Sequence, residues 1–313
     1  MTPGDIELEW SPSGPGVRLR GSPLWFDAWP GPGVGFLSSL DALGRRRLRG
    51  QVLCRPEMLG LLGVLRPGAR ALPLVGTLGL GRLRLAAEPT GGTPGASCLW
   101  VERGSARLLY LREGDEDSLV EHWGSEPGRS VGTLLVGARD PVPMPPGVEV
   151  AEEVPEARLP GLESEARDRG EAICLVVEGP GSALRVLQRL GQTTDPIGVP
   201  ARIPALCRVG RRQRLDLPPV RAWDGRDPLP PRAMALWIAS GDRPVPEAGF
   251  RGGIRSLRVV FGGGPVALAR LVRVVRAARL VLWGPGAPRL RRQLADLGLE
   301  AEVLAPPLDP GLF

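Results

Sequence analysis

Leu280-Val281-Leu282-Trp283-Gly284-Pro285-Gly286-Ala287 is the stretch that decides the fold class. Four consecutive apolar residues read as a buried strand and the Gly-Pro-Gly turn ends it. Ala287 to Leu297 then carries the period of an amphipathic helix, with proline close to its start. Just upstream the same grammar recurs: Leu257 to Phe261 runs into Gly262-Gly263-Gly264-Pro265 and then the helical pattern Val266 to Ala278. Two strand, glycine turn, helix units in succession require parallel strands covered by helices.

Further upstream, Ala233 to Ala239 begins another strand-helix set. Ala172 to Glu178 is followed by a Gly-Pro-Gly turn and the helical pattern Ala183 to Leu190, and Val131 to Val136 is a strand. Pro141 to Ser164 is acidic and proline-bearing and reads as a surface connection. The region 192 to 232, rich in proline and arginine, has too weak a period to assign. Residues 1 to about 118 alternate short apolar runs with glycine and proline turns. The runs at 17–20, 24–26, 35–37, 51–54, 83–85, 98–101 and 107–110 read as strands, and Pro56 to Val64 as a short helix between two of them. A sheet-rich first half thus gives way to an α/β second half.

With 313 residues, 42% of them hydrophobic, the chain can fill a substantial core. No apolar run approaches the roughly 20 residues needed to cross a bilayer. Met1 to Trp10 carries Asp5, Glu7 and Glu9 with no basic stretch ahead of an apolar run, the wrong order for a secretory signal, so a cytoplasmic location is expected. Cys54, Cys98, Cys174 and Cys207 are widely spaced in or beside apolar segments and read as buried, reduced thiols. All 40 basic residues are arginine and the net charge is +6, which suits an anionic partner. The lack of any lysine or asparagine points to GC-rich coding, so arginine abundance alone says little about nucleic acid. No lysine also means no P-loop and no Schiff base. The single histidine, His122, lies in a polar segment and reads as an ordinary packing or surface residue. The eight tryptophans are read as core rather than interface residues.

A family comes into view in Gly21-Ser22-Pro23-Leu24-Trp25-Phe26-Asp27-Ala28-Trp29 and Phe36-Leu37-Ser38-Ser39-Leu40-Asp41-Ala42-Leu43-Gly44. The first resembles the early strand, ending in aspartate, of metallo-β-lactamase-fold nucleases of the β-CASP type. The second resembles their Phe-Leu-Ser-His-x-His-x-Asp-His segment, with Ser39 and Asp41 at the first two histidine places, Leu43 at the aspartate and Gly44 at the third histidine. Thr90 to Ser97 is similar to the family's Gly-His-x-x-Gly-Ser turn, Gly92 standing for the histidine. Tyr110-Leu111-Arg112-Glu113 stands where Tyr-Thr-Gly-Asp is usual, with Glu113, or Asp115 after a shift, at the bridging aspartate. Gly262 and Gly284 take two further histidine places in the closing strands. The nearest resemblance is to bacterial ligase-associated DNA exonucleases, and it is weak from about 192 to 250.

What the resemblance implies is an α/β metallo-β-lactamase-like αββα sandwich over 1–170 and 251–313, interrupted by a reduced β-CASP-type insertion at 171–250. A two-metal hydrolytic site needs several imidazoles. The implied protein is therefore a pseudoenzyme with no catalytic residue, metal or cofactor. It would be a scaffold or adaptor in DNA or RNA processing, with a protein partner such as an active nuclease, helicase or ligase, nucleic acid as a further partner, and no membrane. Two alternatives stand beside it: a divergent exonuclease binding Mg²⁺ or Mn²⁺ through Asp27, Asp41 and Glu113 or Asp115, and a protein-interaction module without nucleic acid. Gly262, Gly263, Gly264 and Gly286, with Arg289, Arg291 and Arg292, are candidate phosphate-binding positions, because glycine turns expose N–H groups at helix starts. The competing reading is that glycine merely closes a vacated pocket.

Overall fold

The computed structural model describes residues 6–10, 16–29, 33–43, 48–112, 116–124, 130–138, 151–224, 230–239, 254–261 and 264–304. The chain forms two compact units, one of Met1–Leu59, Gly68–Pro141 and Gly262–Phe313, the other of Gly60–Pro67 and Val142–Phe261. It is a mixed α/β protein.

The first sheet of the larger unit runs in chain order: β1 (Leu8–Trp10), β2 (Val17–Leu19), β3 (Leu24–Phe26), β4 (Val34–Phe36), β5 (Gln51–Cys54) and β6 (Arg70–Pro73). Pairing is antiparallel from β1 to β3 and parallel from β3 to β6. Helix α1 (Pro56–Leu65) lies in the connection that the parallel step from β5 to β6 requires.

The second sheet begins with the antiparallel run β7 (Thr77–Leu80), β8 (Leu83–Pro89), β9 (Ser97–Arg103) and β10 (Ala106–Leu111). It continues in parallel through β11 (Thr133–Gly137) to two C-terminal strands, β18 (Arg279–Trp283) and β19 (Glu302–Leu304). Alternation along these strands builds two cores. Leu83, Leu85, Leu99, Val101, Leu108, Tyr110, Leu135 and Val281 face the first sheet and share one apolar cluster with Val17, Leu19, Phe26, Phe36 and Leu53. Leu109, Leu111, Leu134, Val136, Leu280 and Leu282 enter a second cluster with α2 (Glu116–Gly124), α6 (Gly264–Val274) and α7 (Ala287–Ala295). The strands β11 and β18 are covered on both faces, which is why they read as unbroken apolar runs rather than alternating ones.

The smaller unit is an all-parallel six-stranded sheet of order β12-β17-β13-β16-β14-β15. Its strands are β12 (Glu152–Pro155), β13 (Ala172–Val177), β14 (Ile197–Val199), β15 (Val220–Ala222), β16 (Met234–Ile238) and β17 (Ile254–Val260), with helices α3 (Leu162–Arg169), α4 (Pro180–Leu190) and α5 (Ile203–Arg212). Beside α4, Glu156 accepts from Arg185 Nε at 2.8 Å and from Arg189 Nε at 2.5 Å. Burial pushes the Glu156 carboxyl upward, but the hydrogen bonds and charges of Arg185 and Arg189 more than offset it and hold it below its usual value of 4.5. A carboxyl lowered by folding stabilises above its unfolded pKa and loses that contribution as pH falls through the folded value. Acid unfolding of the wild type below about pH 4 is therefore expected to be steeper than that of Glu156→Gln, as followed by far-ultraviolet circular dichroism.

Several expectations are corrected here. The segment Pro141 to Ser164 is not a mere connection: 141–150 lies outside the described residues, but 152–155 is strand β12 and α3 starts at Leu162. The unassigned 192–232 contains β14, α5 and β15. Apolar positions 203, 206 and 207 and Gly210 have helical spacing, but Pro204 and Gly210 disguised it. The interruption of the larger unit runs from Val142 to Phe261, wider than 171–250. The two closing units are not a pair in one sheet either: β17 pairs with β12 and β13, whereas α6 packs into the larger unit's second core. The strand at Leu280–Trp283 is followed by one more, β19. Any helix after β16 lies outside the described residues. All four cysteines are buried and unbridged, and six of the eight tryptophans are buried, Trp10 and Trp100 being half-buried. Among the described residues no helix is long and apolar enough to cross a membrane.

Candidate functional site

Asp27 follows β3 with φ +47°, a left-handed conformation that aspartate tolerates better than most residues because its short side chain bonds locally. Its side chain is fully buried, and three donors turn toward it. The Ser38 amide N–H donates to Oδ1 at 2.7 Å, while the Ser38 hydroxyl and the Tyr110 hydroxyl donate to Oδ2 at 2.5 and 2.6 Å. Arg112 Nη1 sits 3.6 Å from Oδ2, its guanidinium lying over the Trp283 ring at 5.3 Å from the centroid. A buried carboxylate is stable only when paired and hydrogen-bonded, and here both oxygens are engaged. Burial, then the charge of Asp27, hold the Tyr110 hydroxyl well above its ordinary pKa, so it remains a donor throughout the physiological range.

The flanking segments converge on this network. Ser38 offers its carbonyl to the Ser97 N–H at 2.8 Å, which docks the turn 90–97 against the segment after β4. Within that turn the hydroxyls of Thr90 and Thr93, and that of Ser97, are buried with no hydrogen-bond partner among the described residues, as are the indole N–H groups of Trp29 and Trp283. The site therefore has more polar capacity than its protein neighbours use. On its far side Ala138 donates to the Trp283 carbonyl at 2.7 Å and accepts from the Gly286 N–H at 3.3 Å.

The sequence-derived positions fare unevenly. Asp27 is central, but as a hydrogen-bonded anion rather than an open ligand. Ser39 is fully buried just before the 3₁₀ turn Leu40–Leu43, in which Asp41 is half-buried and Leu43 is buried and apolar. Gly92 is half-buried in the 90–97 turn. Gly284 follows β18 with φ +100°, and a Cβ there would lie 2.4 Å from the Ala138 carbonyl oxygen, so glycine is a backbone requirement at this place. Gly44, Glu113, Asp115, Gly262 and Gly263 lie outside the described residues. Gly264 opens α6 with φ +63° and is exposed. The Gly286 N–H, offered above to a phosphate, is already donated to Ala138, while Arg289, Arg291 and Arg292 are exposed on α7.

The donor set does not fit a two-metal centre. Its described ligand places hold a hydroxyl, an apolar side chain, two glycines and two carboxylates, one of them consumed by Ser38, Tyr110 and Arg112. Among the described residues no three His, Cys, Asp or Glu side chains gather closely enough to hold a metal ion. Sequence reasoning missed Ser38, Arg112 and Trp283 as members of the site. One signal was present: a lone tyrosine inside the apolar run of β10 must find a buried partner for its hydroxyl.

No family model matches the chain, and no curated protein matches it. Among solved structures it is similar to the crystal structure of a protein of unknown function from Enterococcus faecalis V583, with a TM-score of 0.53 and 13% sequence identity over 87% of this chain and 79% of that one. At that identity the likeness concerns the fold alone. It places the chain with mixed α/β proteins and leaves activity to the site.

Proposed function

We propose that this chain is a non-catalytic relative of the metallo-β-lactamase-fold β-CASP nucleases and serves as a scaffold or adaptor subunit in DNA or RNA processing. Support for the fold half comes from two sheets sharing one core, helices over the outer face of the second sheet, and an all-parallel unit interrupting them. The functional half rests above all on one observation, the engagement of Asp27 by Ser38, Tyr110 and Arg112. A guanidinium here supplies the positive charge that a metal would supply in an active relative. A network of this kind keeps a buried acid neutralised without any ligand that can activate water.

Tagged chain purified from its native host tests the adaptor reading. It is expected to retain a nuclease, helicase or ligase in stoichiometric amount through a salt wash. A chain recovered alone, cleaving phosphodiesters by itself with added Mn²⁺ or Mg²⁺, would overturn the reading in favour of the carboxylate enzyme.

A further inference from the structure

In the smaller unit, most of the described arginines outside the stretch 202–221 are matched to acids. Arg158, Arg167, Arg169, Arg185, Arg189, Arg255 and Arg258 all pair with glutamates. The stretch from α5 to β15 breaks this pattern. It carries Arg202, Arg208, Arg211, Arg212, Arg214 and Arg221, all exposed, against one acid, Asp216, which accepts from Gln192. Among the described residues none of these six arginines forms an ion pair with a carboxylate. The segment 202–221 thus carries a net charge of +5, six arginines against Asp216. GC-rich coding explains why the cations are arginine, but not why their acidic partners are missing here.

The local geometry arranges them as a surface. Ile203, Leu206, Cys207 and Gly210 form the buried side of α5, and Arg208, Arg211 and Arg212 lie away from it at spacings of three and four residues. Arg211 is steadied by the carbonyls of Leu217 and Pro218. Arg214, just past the helix with φ +66°, turns the chain and extends the row. No large exposed apolar side chain lies within it: Leu72, Val75, Leu78, Val260 and Val266 all fall elsewhere. Stable protein interfaces have an apolar centre, whereas a phosphate backbone is held by cationic and polar contacts without one.

We propose that the α5–β15 surface, through Arg208, Arg211, Arg212 and Arg214, binds the phosphate backbone of a nucleic acid without reading its sequence. The choice of ligand rests on the reading of the chain as a nucleic-acid-processing adaptor. The contacts are to phosphates, so affinity falls with salt by about 0.9 log unit per log unit of salt for each contact on a duplex, somewhat less on a single strand.

Fluorescence anisotropy of the full chain tests this with labelled single-stranded DNA, single-stranded RNA and duplex DNA. Three duplex contacts correspond to about a fortyfold loss of affinity between roughly 50 and 200 mM salt. The triple variant R208A/R212A/R214A is expected to lose at least about tenfold in affinity at the lower salt and to show a shallower salt slope. Its lysine counterpart R208K/R212K/R214K should keep most of the binding, since point charge suffices for phosphate. The variant R289A/R291A/R292A removes the same charge from α7 and should bind as the wild type does, with unchanged melting temperatures throughout. Equal losses from the α5 and α7 triples, salt-independent binding, or tighter binding of polyglutamate than of any nucleic acid would overturn the inference. A wild type that retains its processing enzyme in the host pull-down but binds no probe overturns the inference alone, leaving the adaptor reading intact.

Discussion

Asp27→Ala is expected to cost about 3–5 kcal/mol of stability, because it strands a mostly buried guanidinium and the buried hydroxyl of Tyr110 at once. The amide and hydroxyl of Ser38 lose their acceptor as well. Alanine is also disfavoured at φ +47°, where aspartate and asparagine are better tolerated. Asp27→Asn keeps the backbone preference and one acceptor oxygen. It presents an N–H₂ to hydroxyls that now donate, however, so a smaller loss of roughly 1.5–3 kcal/mol is expected. Urea unfolding of purified protein measures both. Had Asp27 been an open ligand awaiting a metal, its removal from metal-free protein would relieve an uncompensated charge, and stability would stay the same or rise. A Asp27→Ala variant within about 0.5 kcal/mol of wild type would therefore contradict the hydrogen-bonded network.

Gly284→Ala should be nearly as damaging. The added methyl would meet the Ala138 carbonyl oxygen at 2.4 Å in a backbone conformation, φ +100°, that side chains rarely adopt. Strain and overpacking together are expected to cost on the order of 3 kcal/mol. Gly298→Ala is the matched control: its φ is +75°, but nothing lies within 4 Å of the new Cβ, so only the backbone term of about 1–2 kcal/mol is paid. Gly284→His, which introduces the residue type that the resemblance to metallo-β-lactamase-fold nucleases implies at this place, should behave like Gly284→Ala and gain no zinc affinity. A neutral Gly284→Ala would mean that this glycine merely fills a vacated place, contrary to its contact with Ala138.

The elements that the sequence made legible are those with one dominant period. In the two-sheet unit β2 to β5, β8 to β11 and β18 show alternation or short apolar runs, and α4, α6 and α7 carry amphipathic spacing bounded by glycine and proline, whereas β1, β6, β7, β19 and α2 escaped. Elements at the edges of the parallel sheet escaped. Strand β12 is an acidic edge strand, three of whose four residues are partly or fully exposed, and β15 is three residues long with no buried side chain, so neither leaves a hydrophobic signature. The separation of β17 from α6 could not be read either, because a strand, a glycine turn and a helix look the same whether or not they stay in one unit. At the site, Asp27 came from the resemblance of residues 21–29 to a family strand that ends in aspartate. Its partners Ser38, Tyr110 and Arg112 come from segments up to 85 residues away in sequence, and only tertiary structure assembles them.

Metal content measured together with phosphodiesterase activity tests the central claim most directly. Chain purified without chelators and then titrated with Zn²⁺, Mn²⁺ and Mg²⁺ is expected to hold no stoichiometric metal and to hydrolyse neither DNA nor RNA. One or two metal ions per chain, with hydrolysis abolished by Asp41→Ala, would contradict it.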